Sequence, residues 1–202
     1  MYSTKPGLVF AFHGCDKEVC ERVLNGKAQL VPSENEYDWL GNGIYFWDGN
    51  LKRAWQFAEE LKKLPRSNKQ NITNPAVLGA VIDLGDCLDL VNSEHLELLK
   101  ESYKKLEISS RILGLKLPHN NKGKDSGDLL LRNLDCFVIE NLHKRRLPLS
   151  FDCVRGVFWE GEELYHNAGF KEKNHIQICI RNPNCIKGYF LPRSLDAAYK
   201  KV

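Results

Sequence analysis

The chain contains no run of 18 or more apolar residues, so no membrane-spanning helix is expected. Its first fourteen residues hold one Lys and a short apolar run with no cleavage-site pattern. They make a poor signal peptide, and a cytoplasmic location is expected. No two cysteines have Cys-x-x-Cys spacing, and their number, seven, is odd. A disulfide framework or zinc site calls for tighter, paired spacing, so no metal is expected. Cys15, Cys20, Cys87, Cys136, Cys153, Cys179 and Cys185 lie mostly among apolar neighbours and read as buried reduced thiols. Neither sign of charge dominates, with 29 Lys and Arg against 26 Asp and Glu, a net charge of +3. That balance neither demands nor excludes a polyanionic partner. No internal repeat is present.

What is there reads as one globular domain. A length of 202 residues is close to one domain at about 150 residues each, and long enough for a sizeable core. The apolar fraction is 43% and the charged fraction 27%, both ordinary for a globular chain. Residues 8–13 read as a short buried strand. Asp16 is placed to cap a helix over 17–25, and Gly26 to end it. Residues 30–39 read as loop. Leu51, Ala54, Trp55, Phe57, Ala58 and Leu61 form a helical stripe over 51–63. A polar loop at 64–75 precedes a central strand at 76–82. A charged helix is expected over 94–107, a polar loop over 116–128 and a helix over 129–144. Residues 151–159 and 175–182 read as strands, 160–174 as a connecting loop, and 184–192 as a last strand. Short strands divided by helices give the class α+β, with 94–146 a mainly helical insertion.

Three features carry chemistry. Phe12-His13-Gly14 ends the first strand. Taken alone, a His after an apolar run is more often a satisfied structural residue. Gly-Asn-Gly-Ile-Tyr-Phe (41–46) opens an aromatic strand. It reads first as a bulge or tight turn, since no third glycine opens a helix as a dinucleotide fingerprint requires. In His-Ile-Gln-Ile-Cys-Ile-Arg-Asn-Pro (175–183), His175, Gln177 and Cys179 share one face and the three isoleucines the other. Such a polar face is most often solvated.

Together, and in this order, the three resemble the diphtheria-toxin and poly(ADP-ribose) polymerase class of ADP-ribosyltransferases. Phe-His-Gly-Cys (12–15) resembles the first motif. Leu-Gly-Asn-Gly-Ile-Tyr-Phe-Trp-Asp (40–48) resembles the second, and 52–58 the helix after it. The third motif of the class is a Glu on a strand running to Asn-Pro, and counting back from Asn182-Pro183 puts Gln177 there. The resemblance implies split mixed β-sheets around an NAD+ cleft, with NAD+ as substrate and no metal. It implies that His13, Tyr45 and Gln177 form the catalytic set. His13 would bond the adenosine-side ribose, Gly14 would offer its backbone to the nicotinamide carboxamide, and Tyr45 would stack on the nicotinamide ring. The leaving group is a neutral pyridine and the sugar becomes oxocarbenium-like, so positioning and electrostatics suffice for cleavage.

Two departures bear on the mechanism. Gln177 can hydrogen-bond a ribose hydroxyl but cannot take a proton. In this class, loss of the Glu implies transfer of single ADP-ribose units. Glu160, Glu162 and Glu163 are the nearest candidates for a base, against the reading of a solvated acidic loop. Arg53, just before Ala54, stands where relatives carry a Ser on the nicotinamide amide. It weakens that contact or faces the NAD+ phosphates. Ser33 and Asn35 are lesser candidates for NAD+ contacts. The loop 160–174 lies where relatives recognise the acceptor. It is bordered by Trp159, contains Tyr165, His166, Asn167 and Phe170, and is flanked by Arg155 and Arg181. Aromatics beside arginines suit an unpaired base or a protein hot spot. The basic run Lys144, Arg145 and Arg146 reads as a helix C-terminus complementing its dipole. The expectation is a mono-ADP-ribosyltransferase acting on nucleic acid or protein, nucleic acid being slightly favoured. Resemblance to small bacterial toxins implies a toxin–antitoxin or phage-defence role with an inhibitory partner, and no membrane. The alternatives are an inactive binding module of the same fold or an NAD glycohydrolase. RNA 2′-phosphate transfer lacks its expected His and Arg set.

Overall fold

The computed structural model describes residues 7–64, 71–123, 127–146 and 150–200. Parts of the loops expected over 64–75 and 116–128, namely 65–70 and 124–126, lie outside the described residues. The elements are β1 (Val9–Asp16), α1 (Lys17–Leu24), β2 (Ile44–Asp48), α2 (Leu51–Lys63), β3 (Pro75–Ile82), β4 (Cys87–Asp89) and α3 (Ser93–Ile112). They continue with β5 (Asn120–Asn121), β6 (Leu131–Arg132), α4 (Asn133–Arg145), β7 (Cys153–Phe158), β8 (His175–Ile180) and β9 (Ile186–Phe190). The class is α+β. Asp16 caps α1 through Glu18 N, and its carboxylate also accepts from Thr73 and Asn74 N. Those backbone donors hold its pKa below the ordinary aspartate value. Among the described residues no helix is long and apolar enough to cross a membrane.

Seven strands form one sheet in the order β4-β7-β8-β2-β1-β3-β9, with β5 and β6 a separate ribbon. The sheet is mixed, β4–β7 being its parallel pair. The expectation of split sheets needs correcting to a single sheet with a partial opening. β1 pairs with β3 from Val9 to Asp16, but with β2 only at Ala11↔Asp48 and Phe12↔Trp47. Beyond Phe12 the two strands part while each keeps its other neighbour.

Cross-strand partners share a face, so the registers sort the side chains. Ala11, Phe46, Leu78 and Ile178 face one way and bury against Cys20 and Val23 of α1. The opposite face has two separate covers. α2 lays Ala54 and Phe57 over Phe12, Trp47 and Val77. α4 lays Ile139 and Leu142, with Leu98 and Leu99 of α3, over Val154, Phe158 and Cys179. Half-buried Tyr45 and Gln177 lie on this face, on β2 and β8, whose register pairs them with Cys179 and Trp47.

Within 94–146, expected as a helical insertion, α4 completes the core cover and anchors β8. Arg181 Nη2 donates to Glu140 Oε2 at 3.2 Å, and Glu140 Oε1 accepts from Asn42 N at 2.8 Å. The expected loop 160–174 is a hairpin continuing β7 and β8. Lys173 N bonds Glu160 O, Glu172 N bonds Glu162 O and Leu164 N bonds Phe170 O. Its turn places Asn167 at φ 60°, a left-handed conformation that Asn tolerates better than most residues.

Candidate active site

The parting of β1 and β2 sets His13-Gly14 and Tyr45 on either side of a gap, and β8 carries Gln177 beside Trp47 of β2. His13 Nδ1 lies 2.7 Å from Tyr45 O, where ladder hydrogen bonds have ceased. A carbonyl only accepts, so Nδ1 carries the hydrogen. Burial lowers the His13 pKa, outweighing that bond. The ring is therefore neutral near pH 7, and Nε2 is an acceptor without a partner among the described residues. The imidazole is half-buried and tilts against Phe46, ring centroids 5.7 Å apart.

Gly14 follows on β1. Phe10 O accepts from Gly49 N, which turns its carbonyl towards the β2 side. Alternation along an antiparallel strand turns Gly14 N–H and C=O the same way, into the opening. A Cβ on Gly14 would lie 2.2 Å from Ala54 O. The small residues Ala54 and Ala58, both fully buried, let α2 come down this close. Ala54 is thus the seat of α2 on β1.

Tyr45 and Gln177 lie on the face opposite His13. The Tyr45 hydroxyl donates to Gly41 O at 2.6 Å and accepts from Leu40 N at 2.9 Å. The phenol is fixed, and burial pushes its pKa well above the ordinary value. Gln177 pairs in register with Trp47 and Gly156. Its half-buried amide has no hydrogen bond among the described residues. Gly43 must be small, since a Cβ there would come 2.5 Å from Ile180 O. Ser33 pairs its backbone with Gly43, and its hydroxyl accepts from Asn35 Nδ2 at 2.7 Å. Ser33 and Asn35 are thereby tied into the turn that precedes Tyr45.

No protein-family model matches the chain. The chain is similar to an uncharacterized protein of Methanocaldococcus jannaschii, 26% identical over 208 residues, covering 92% of this chain and 89% of the relative. The likeness spans nearly all of both proteins and brings no activity with it.

The residues expected on an acceptor side divide. Tyr165, Asn167 and Phe170 are exposed towards the hairpin tip. Trp159 is exposed too, but alternation puts it with Val157 on the face away from Gln177. Arg155 also leaves the cleft face. Its buried guanidinium donates to Asp48 Oδ2 at 2.9 Å and to both Asp89 oxygens at 3.2 Å. Arg181 is held by Glu140 and Asn42 O. Neither arginine is free to stack on a base. Arg53 does not extend into solvent towards a phosphate. It is 5% exposed, lies over the Trp47 ring and reaches Glu160 Oε2 at 3.3 Å.

Other residues complete this end of the cleft, and sequence reasoning missed them. Trp39 packs on Phe158 with centroids 4.6 Å apart, and both stack near His175. Arg132 covers Trp39 and Phe158 at 4.4 and 5.0 Å. Trp39 stands in a stretch that reads as loop, and Arg132 in one that reads as helix. No local pattern points to their meeting. His175 is buried, which lowers its pKa to about 4 and keeps the ring uncharged.

Proposed function

We propose that this protein is a mono-ADP-ribosyltransferase, with an ADP-ribosyltransferase fold, that moves ADP-ribose from NAD+ to a macromolecular acceptor. One observation carries the proposal. The strand order β8-β2-β1 sets Gln177, Tyr45 and His13 on three adjacent strands, with His13 and Tyr45 flanking the opening and Gln177 level with Trp47 on the Tyr45 face. Three groups there have hydrogen-bonding capacity left: His13 Nε2, the Gln177 amide and the Gly14 backbone. They fit the needs of a bent dinucleotide. A neutral imidazole nitrogen accepts from a ribose hydroxyl, an amide bonds a second hydroxyl, and a peptide pairs with a carboxamide. The immobilised Tyr45 ring offers a stacking surface worth about 0.5–1.5 kcal/mol beyond area burial. Positioning then exposes the glycosidic bond, and the neutral nicotinamide departs.

Nucleic acid is the favoured acceptor class, by the exposed Tyr165 and Phe170 of the hairpin. A toxin-like role in the cytoplasm, restrained by an inhibitory partner, belongs to the same proposal. The uncharged Gln177 favours one second reading, an NAD+-binding module that has lost transfer. Water as acceptor would make the protein an NAD glycohydrolase.

The test incubates the protein with adenylate-labelled NAD+ and, separately, total RNA, single-stranded DNA and cell lysate. Label is expected on one fraction, and both His13→Ala and Tyr45→Ala should lower it by at least about 100-fold, the scale on which positioning effects act. Tight NAD+ binding without turnover would replace the proposal with the binding module. Free ADP-ribose alone would replace it with the glycohydrolase.

A further inference from the structure

Gln177 leaves the transfer step without a carboxylate on β8, and the structure offers one at the base of the hairpin that follows the neighbouring strand. Glu162 and Glu163 are exposed on the hairpin, whereas Glu160 at its base is 9% exposed. Alternation from Phe158, which pairs with His175, puts Glu160 on the face of Gln177. Glu160 Oε2 lies 3.3 Å from Arg53 Nη2 and 3.6 Å from His175 Nδ1. His175 and Gln177 are alternate residues of β8, hence about 7 Å apart along the strand. Glu160 Oε1 has no protein partner among the described residues.

The surroundings are more than an ion pair requires. Among the described residues Trp47 Nε1, Arg53 Nε and His175 Nε2 are enclosed without a hydrogen-bond partner, and Arg53 Nη1 meets only the Glu60 carboxylate. Buried polar atoms are nearly always satisfied, so unpaired nitrogens on Arg53 and His175, the two side chains that hold Glu160, leave capacity for a polar guest. Arg53 is itself steadied by Glu60 at 3.6 Å, and Glu60 by Lys173 at 2.9 Å. The carboxylate is thus aimed by one oxygen and open at the other.

We infer that Glu160 is the general base of transfer, taking through Oε1 the proton of the acceptor's attacking hydroxyl, amine or amide. This rests on the transferase reading above. In the step, the acceptor heteroatom forms a bond to ribose C1′. The C1′–nicotinamide bond breaks with its electron pair going to the ring nitrogen. The acceptor proton passes to Glu160, and neutral nicotinamide leaves. The charged and titratable groups facing Glu160 are Arg53 and Glu60 of α2, Lys173 of the hairpin, His175 of β8 and Arg132 of β6. Burial raises its pKa above the ordinary glutamate value, against the pull of Arg53 and Lys173. A carboxylate so raised is a stronger base, and transfer increases as pH rises through that pKa.

The full chain is assayed with labelled NAD+ and the same RNA, DNA and lysate fractions. Glu160→Gln is expected to lower macromolecular labelling by about 100-fold or more, the usual scale of general-base loss. It should also abolish the acid limb of the pH profile while leaving NAD+ binding by calorimetry intact. Glu160→Asp should recover part of the rate and the limb. Wild-type labelling together with an unaffected Glu160→Gln overturns the inference alone. No nicotinamide release by the wild type overturns the transferase reading, and this inference with it. Should Glu160→Gln not fold, a wild-type transfer rate flat through the acid range overturns the inference.

Discussion

Single side chains here do opposite things with the same chemistry. Arg53 and Arg155 are both buried cations between two carboxylates, yet Arg53 Nε has no hydrogen-bond partner among the described residues while Arg155 donates to both of its aspartates. Arg155 holds Asp48 and Asp89 together across three strands. Burial opposes its charge, but the two carboxylates outweigh that and keep its pKa above the ordinary value. Arg155→Leu leaves two carboxylates facing each other with no cation. It is expected to destabilise the protein by about 3–5 kcal/mol, the cost of breaking a buried pair. Urea denaturation measures this, and a loss well under that range would mean the aspartates relax into solvent. At this scale the sequence was legible where a local signal fixes a residue's task, as at the Asp16 cap. It was illegible where three-dimensional pairing decides. Nothing near position 155 announces that strand alternation turns Arg155 away from the cleft, or that Arg181 is taken by Glu140.

Elements were easier to read than their partners. α1 and α2 follow from the Asp16 cap and the apolar stripe. β4, three residues long, escaped because so short a segment has no period to detect. The hairpin extension of β7 and β8 was read as loop, because its polar residues mask the pairing that its backbone makes. α4 looked like part of an insertion, yet its Ile139, 1% exposed, fills the core against β7 and β8. Ile139→Ala should lower stability by about 2–5 kcal/mol, the range for a large-to-small core change. A detached lobe would instead yield two thermal transitions, with the sheet's own transition unmoved by the substitution. Calorimetry tells these apart.

For the molecule as a whole, acid is the expected weakness. His13, His143 and His175 all have pKa values lowered by burial, that of His175 to about 4. A lowered folded-state pKa contributes stability above the unfolded value of 6.5, lost as pH falls towards 4. For His175 alone the shift corresponds to about 3 kcal/mol at 1.36 kcal/mol per unit. Tm should therefore drop between those pH values, and His175→Asn should flatten the drop. An unchanged slope in that variant would assign the acid sensitivity elsewhere. The same global view explains what could be read of the fold. The α+β class followed from the alternation of periods along the chain. The strand order did not, because no local signal says which strands lie side by side.

The shortness of the β1–β2 ladder has a mechanical side. Two residue pairs, the Gly49 N–Phe10 O bond and one imidazole are the rungs between β1 and β2, so the seven strands divide into two boards along one hinge-like seam. The chain crosses that seam repeatedly, with β1 and β3 on one board and β2 on the other. The seam closes only when both boards exist. A guest wedged into it would stiffen the hinge. Its arrival should be readable from slowed amide exchange at the seam, without any chemistry taking place.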